Sequence, residues 1–214
     1  MVTSSYKNFN PDLYKTYSIS GDRGKGVNYK GKCYPKLAPK KGFWKIWHDN
    51  IGKISEEENT KYYIEQYYKE VLSRLDPMET YEELKYDVLL CYEEPGEFCH
   101  RHIVAEWFNL LLDVKVPEVK CESMGFKEIE RPNYYREYLE EVMKKNKNMR
   151  GFTSIRALYL FEEGEKLEQQ ANECERNTGR CCDGVRQAAC YLRCDADEAE
   201  YEYQVRQKTK QKRK

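Results

Sequence analysis

The run Asp87-Val88-Leu89-Leu90-Cys91-Tyr92 constrains the fold more than any other stretch of the chain. Its consecutive apolar residues leave no polar face, so as a strand it must be covered on both sides. Acidic residues, Pro95 and Gly96 end it, and a helix is predicted over 99–112. There Cys99, Ile103, Trp107 and Leu110 form one stripe, and His102, Glu106, Asn109 and Asp113 the opposite one. Upstream, residues 14–20 are aromatic and β-branched and run into Gly21-Asp22-Arg23-Gly24-Lys25-Gly26, the pattern of a strand feeding a glycine-rich loop. Residues 114–121 are a third candidate strand.

Helices are expected between these strands. Residues 42–48 form a short amphipathic one, while Ser55-Glu56-Glu57-Glu58 is a capping box that opens a long helix reaching about Leu75. Asp76 with Glu79 starts a shorter helix to Leu84. Strands alternating with helices imply crossovers, and so an α/β fold: a small Rossmann-like parallel sheet flanked by helices. Beyond Pro132 the pattern becomes helical and charge-rich over 133–147, 153–175 and 185–207. The expected organisation is an α/β domain over 1–124, a helical cysteine-containing extension over 125–205, and a basic disordered tail over 206–214 with six basic residues and no acidic one.

Formal net charge is zero, but it is unevenly placed. Residues 1–53 hold 11 Lys and Arg against 3 Asp and Glu, whereas residues 54–104 hold 5 against 13. A basic first third suits an anionic ligand. With 14% aromatic residues the chain is not generally disordered. No segment has the form of a signal peptide or a membrane span, so a cytoplasmic protein with no membrane partner is expected. Nine cysteines, the first four scattered singly, fit reduced thiols better than a disulfide framework.

Ligands of open α/β sheets sit beyond the carboxyl ends of the strands, where helix N-termini aim free N–H groups. The start of the 99–112 helix, Cys99-His100-Arg101, occupies such a place. Arg101 offers a fork of donors, and Cys99 beside His100 and Arg101 is either a reactive thiolate or, on the same stripe as Ile103 and Trp107, a core thiol. His100 and His102 point to different faces and cannot chelate one ion well. Arg is absent six residues after either cysteine, where Glu97 and Ala105 stand, so cysteine-phosphatase chemistry is not supported. A Cys91–Cys99 redox pair lacks the usual CxxC spacing.

The glycine-rich loop offers Gly21, Gly24 and Gly26 as backbone donors for phosphate, Arg23 and Lys25 as charge, and Asp22 as an acid or base. If its strand neighbours the strand ending at Cys91, the loop and Cys99-His100-Arg101 would share one anion site. Tyr29, Tyr34, Phe43, Trp44 and Trp47 would serve either as stacking faces for a base or as core. Cys174, Cys181, Cys182, Cys190 and Cys194 are the alternative metal ligands, set against a purely structural or surface role.

Leu89-Leu90-Cys91-Tyr92-Glu93-Glu94 followed by Cys99-His100-Arg101 and Ala105 resembles the hallmark of the domain of unknown function 488 family. Ser18-Ile19-Ser20-Gly21-Asp22-Arg23 and Cys33-Tyr34-Pro35-Lys36-Leu37-Ala38-Pro39 extend the resemblance, which covers about 14–120. It implies a Rossmann-like domain with Cys99, His100 and Arg101 at motif positions, and no settled activity or cofactor. Together these readings point to a protein that binds a nucleotide or a nucleic-acid-derived anion and acts on it at a Cys-His-Arg site. The alternative is a non-catalytic nucleic-acid-binding or protein-interaction module, with a structural metal in the extension. Neither reading fixes an oligomeric state.

Overall fold

Six strands assemble into one sheet: β1 (Val2–Ser5), β2 (Thr16–Ser18), β3 (Lys32–Cys33), β4 (Val88–Cys91), β5 (Glu118–Glu122) and β6 (Gly125–Ile129), in the order β3-β2-β4-β1-β5-β6. In the computed structural model residues 1–9, 14–122 and 125–212 are described. They divide into two units, Met1–Met143 and Lys144–Lys214. All pairings are parallel except β5 with β6. The expected α/β class, a mostly parallel sheet flanked by helices, is therefore what the chain adopts.

The apolar strand takes an interior position. β4 pairs with β1 on one side and β2 on the other, and all four of its residues are buried. Val88 and Leu90 face a cluster with Phe9 and Val119, and the period of two turns Leu89 and Cys91 to the opposite face. Truncating Leu89 or Leu90, both at 0% exposure, would cost about 2–5 kcal/mol.

Three strands have no counterpart in the sequence reading. β1 is central yet polar: Thr3, Ser4 and Ser5 are fully buried, with the Thr3 hydroxyl donating to Glu118 at 2.7 Å and that of Ser4 to the Val119 carbonyl at 2.6 Å. Hydrogen bonds replace the hydrophobic pattern that marks a strand. β3 is only two residues long. β6 returns antiparallel to β5, so the segment after 124 rejoins the sheet before any helix begins.

The helices of the first unit are α1 (Lys41–Asn50), α2 (Glu56–Glu70), α3 (Pro77–Leu84), α4 (His100–Leu112) and α5 (Tyr134–Asn146), the last running on to three residues past Met143. Ser55 and Glu58 form the predicted capping box on α2, and Asp76 caps α3. α4 departs from its amphipathic reading, because His102 and Glu106 of its polar stripe are buried and Asn109 partly so, leaving Asp113 exposed. His102 packs edge-on to Tyr135, Glu106 pairs with Arg131 at 3.2 Å, and Asn109 accepts from the Val116 N–H at 2.9 Å.

In the second unit α6 (Ile155–Thr178) and α7 (Asp183–Gln211) pack together. Gly164 permits their close approach, since a Cβ there would lie 3.0 Å from the Ala189 carbonyl. Helix α7 continues through Gln211, into the segment expected to form a disordered tail, and an i,i+4 pair between Glu202 and Arg206 bridges that boundary. Among the described residues no helix is long and apolar enough to cross a membrane.

β2 leads outward to the edge strand β3, whereas β4 leads through α4 to β5 on the far side of β1. Adjacent strands β2 and β4 thus send the chain in opposite directions. A crevice opens beyond the carboxyl ends of such a pair.

Candidate functional site

That crevice is a cleft of about 880 Å³. Ser20, Gly21, Asp22, Arg23 and Lys25 line it from the loop after β2; Tyr92, Glu93 and Phe98 from the loop after β4; Cys91, Cys99 and His100 from the strand end and helix start. Lys41, Trp44 and Trp47 of α1 and Tyr63 of α2 complete it. The glycine-rich loop and the Cys-His segment, nearly 80 residues apart in the chain, therefore meet in one site.

At the cleft floor, His100 lies with Nε2 3.0 Å from the Ile19 carbonyl. A carbonyl can only accept, so Nε2 carries the hydrogen and Nδ1 presents its lone pair in the neutral ring. Nδ1 is 3.8 Å from Cys91 Sγ and 4.0 Å from Cys99 Sγ. Burial would raise the Cys99 thiol, but a hydrogen bond from Cys91 and the charge of Arg101 carry it well below the ordinary range. Burial, reinforced by the neighbouring Cys99, holds Cys91 well above it. Burial, then the charge of Cys99, lifts the Glu93 carboxyl to about 7.

Arg101 does not line the cleft. It is fully buried, its Nε 3.1 Å from Glu118 Oε1, and Glu93 lies 3.9 Å from its far side. The Cys99 N–H, a donor expected to be free for an anion, is taken by the Tyr135 hydroxyl at 2.9 Å. Arg101 is thus a buried positive charge beneath the floor, acting on Cys99 through the protein rather than on a ligand by contact.

The loop is likewise self-satisfied. Asp22 accepts from the Gly24 N–H at 2.9 Å, the Gly26 N–H at 3.1 Å, the Ser20 hydroxyl at 3.0 Å and the Tyr92 hydroxyl. Burial would raise this carboxyl, but those donors hold it below the ordinary range, so Asp22 organises the loop instead of trading protons. Gly24 sits at φ +75, and a Cβ there would meet Tyr29 and Tyr6. The Gly24 and Gly26 donors are thus occupied, while the cationic side chains of Arg23, Lys25 and Lys41 line the cleft.

Glu93 and Lys41 were not singled out in the sequence. Both had signals, since Glu93 stands two residues past the end of β4 and Lys41 closes the basic run of residues 30–41. Of the aromatics, Trp44 and Trp47 face the cleft while Phe43 is buried against Tyr63. The late cysteines do not gather. Cys174 neighbours Cys182, and Cys190 neighbours Cys194, all on the surface of the helical unit or partly so. Among the described residues only Cys91, Cys99 and His100 bring three ligand atoms within 4.8 Å of one another.

A mostly parallel sheet with a cysteine–histidine cleft at its switch point defines an α/β protein whose cleft lies where ligands of open α/β sheets commonly sit. Residues 14–111 match a family model described as the active DUF488-N3 subclade, and the chain carries a DUF488-family domain. The matched span includes every residue lining the cleft. No curated protein and no solved structure matches the chain.

Proposed function

We propose that the cleft binds a nucleotide or a nucleic-acid-derived anion and acts on it at the Cys99–His100 floor. The observation that carries this reading is the convergence of a basic rim, aromatic walls and a buried Cys-His floor in one cleft. Arg23, Lys25 and Lys41 supply charge for phosphate, and Trp44, Trp47 and Phe98 supply faces on which a base can stack. Glu93 stands beside the floor as the carboxyl available for proton transfer, the role first considered for Asp22. Free cysteines throughout the described chain suit a reducing, cytoplasmic setting.

The test is a panel of nucleoside mono-, di- and triphosphates and short single-stranded oligonucleotides, followed by thermal shift for binding and by mass spectrometry for turnover. The reading expects at least one ligand to stabilise the wild type and be converted, and Cys99→Ala to retain the stabilisation while losing conversion. Stabilisation without conversion in the wild type would replace it with a non-catalytic binding module.

A further inference from the structure

The floor of the cleft has the geometry of a metal site. We infer that Cys91 Sγ, Cys99 Sγ and His100 Nδ1 together bind one zinc-class divalent ion, with its fourth position open to the cleft.

Three observations carry this. First, the separations fit: tetrahedral zinc with Zn–S of about 2.3 Å and Zn–N of about 2.0 Å places sulfur and nitrogen about 3.5 Å apart. Nδ1 stands 3.8 Å from one sulfur and 4.0 Å from the other, and all three atoms lie within 4.8 Å of one another. The sulfur–nitrogen separations close by a few tenths of an ångström on ligation and the sulfur–sulfur separation by up to about 1 Å. Second, the tautomer suits ligation. The Ile19 carbonyl takes the Nε2 hydrogen at 3.0 Å, which leaves the Nδ1 lone pair for a metal, as outer-shell partners do for metal-binding histidines; Cys91 Sγ lies 3.8 Å from Nδ1 and 4.0 Å from Nε2, so a small turn of the ring is needed to aim it. Third, the ligands come from rigid elements, the end of an interior strand and the start of a buried helix.

Two thiolates and an imidazole are soft and borderline donors, which select zinc-class ions over magnesium or calcium. Among the described residues the group stops at three, and each of them lines the cleft. A fourth position filled by exchangeable water is the mark of a catalytic rather than a structural zinc site. The site is distinct from the late cysteines, and it stands whether or not the cleft's ligand is a nucleotide.

Elemental analysis of the full-length protein, expressed with zinc supplied and then gel-filtered, tests this without any nucleotide. About one equivalent of zinc is expected, falling below about a tenth in Cys99→Ser and Cys91→Ser. A variant with Cys174, Cys181, Cys182, Cys190 and Cys194 all changed to Ser, positions at or near the surface, should keep its full equivalent. Because the buried substitutions could unfold the chain, cobalt is added to metal-free wild type as a second reading. Thiolate-to-cobalt charge transfer with tetrahedral d–d bands is expected, saturating at one equivalent. Wild type without metal and without those bands overturns the inference, as does metal that leaves with the late cysteines and stays in Cys91→Ser and Cys99→Ser.

Discussion

Cys181 and Cys182 are adjacent in the sequence and Cys91 and Cys99 are not, yet it is the second pair that shares a site. The late cysteines lie along and between two helices with their thiols at or near the surface, and they meet only in twos. The early two are each 2% exposed, one ending a strand and one preceding a helix, with His100 against both. The difference teaches that proximity in the chain is a poor guide to shared chemistry. A strand end and a following helix start converge because the sheet forces them to, whereas residues spaced along helices fan out around them.

The largest effect that sharpens this contrast comes from the charges beneath each region. Arg101→Ala removes one partner of a fully buried pair and is expected to destabilise the first unit by about 3–5 kcal/mol. Urea unfolding read by tryptophan fluorescence checks it, since all three tryptophans, Trp44, Trp47 and Trp107, lie in that unit. Arg186→Ala breaks the partly exposed pair with Glu175 in the helical unit and should cost less than about 1 kcal/mol by circular dichroism. Equal losses would erase the contrast.

A second effect appears with pH. Burial would raise the Glu118 carboxyl, but His102 and Arg101 hold it below the ordinary value. Its contribution to stability is therefore present above that ordinary value and disappears as pH falls through the depressed one. Stability of the first unit measured between pH 6 and pH 3 should drop more steeply in the wild type than in Glu118→Gln. Parallel curves would mean that the ion pair contributes nothing.

Thiol reactivity gives a third contrast. A disulfide reagent should modify Cys174, Cys181, Cys190 and Cys194 in the native protein, while the buried Cys91 stays unmodified until denaturant is added. Peptide mass mapping distinguishes them. The smallest effect is local: Ser55→Ala removes the cap of α2 and should cost about 1 kcal/mol, with the cleft unaltered.

The sequence disclosed much of this architecture. Apolar runs, capping boxes and glycine breaks located β2, β4, β5 and the seven helices, because those signals are local. The polar β1 was illegible, since Thr3 and Ser4 are held by hydrogen bonds to residues more than a hundred positions away. For the site, the meeting of the loop and the Cys-His segment was foreseeable from strand adjacency. The division of labour within it was not. Arg101 turned inward because Glu118 is there to meet it, and Asp22 became a loop organiser because Tyr92 and two glycine amides converge on it. Glu118 and Tyr92 lie 17 and 70 positions from the residues they meet, and no local pattern announces them.

The central claim is that the basic rim and the Cys-His floor serve one ligand. Isothermal titration of the wild type and of an Arg23→Ala, Lys25→Ala double variant with the best nucleotide from the panel tests it most directly. The account predicts saturable one-site binding that weakens with salt and falls by about tenfold or more in the double variant, each lost charge-assisted contact being worth about 1–2 kcal/mol. Binding that is unchanged in the double variant, or no binding by any nucleotide or oligonucleotide, would contradict it.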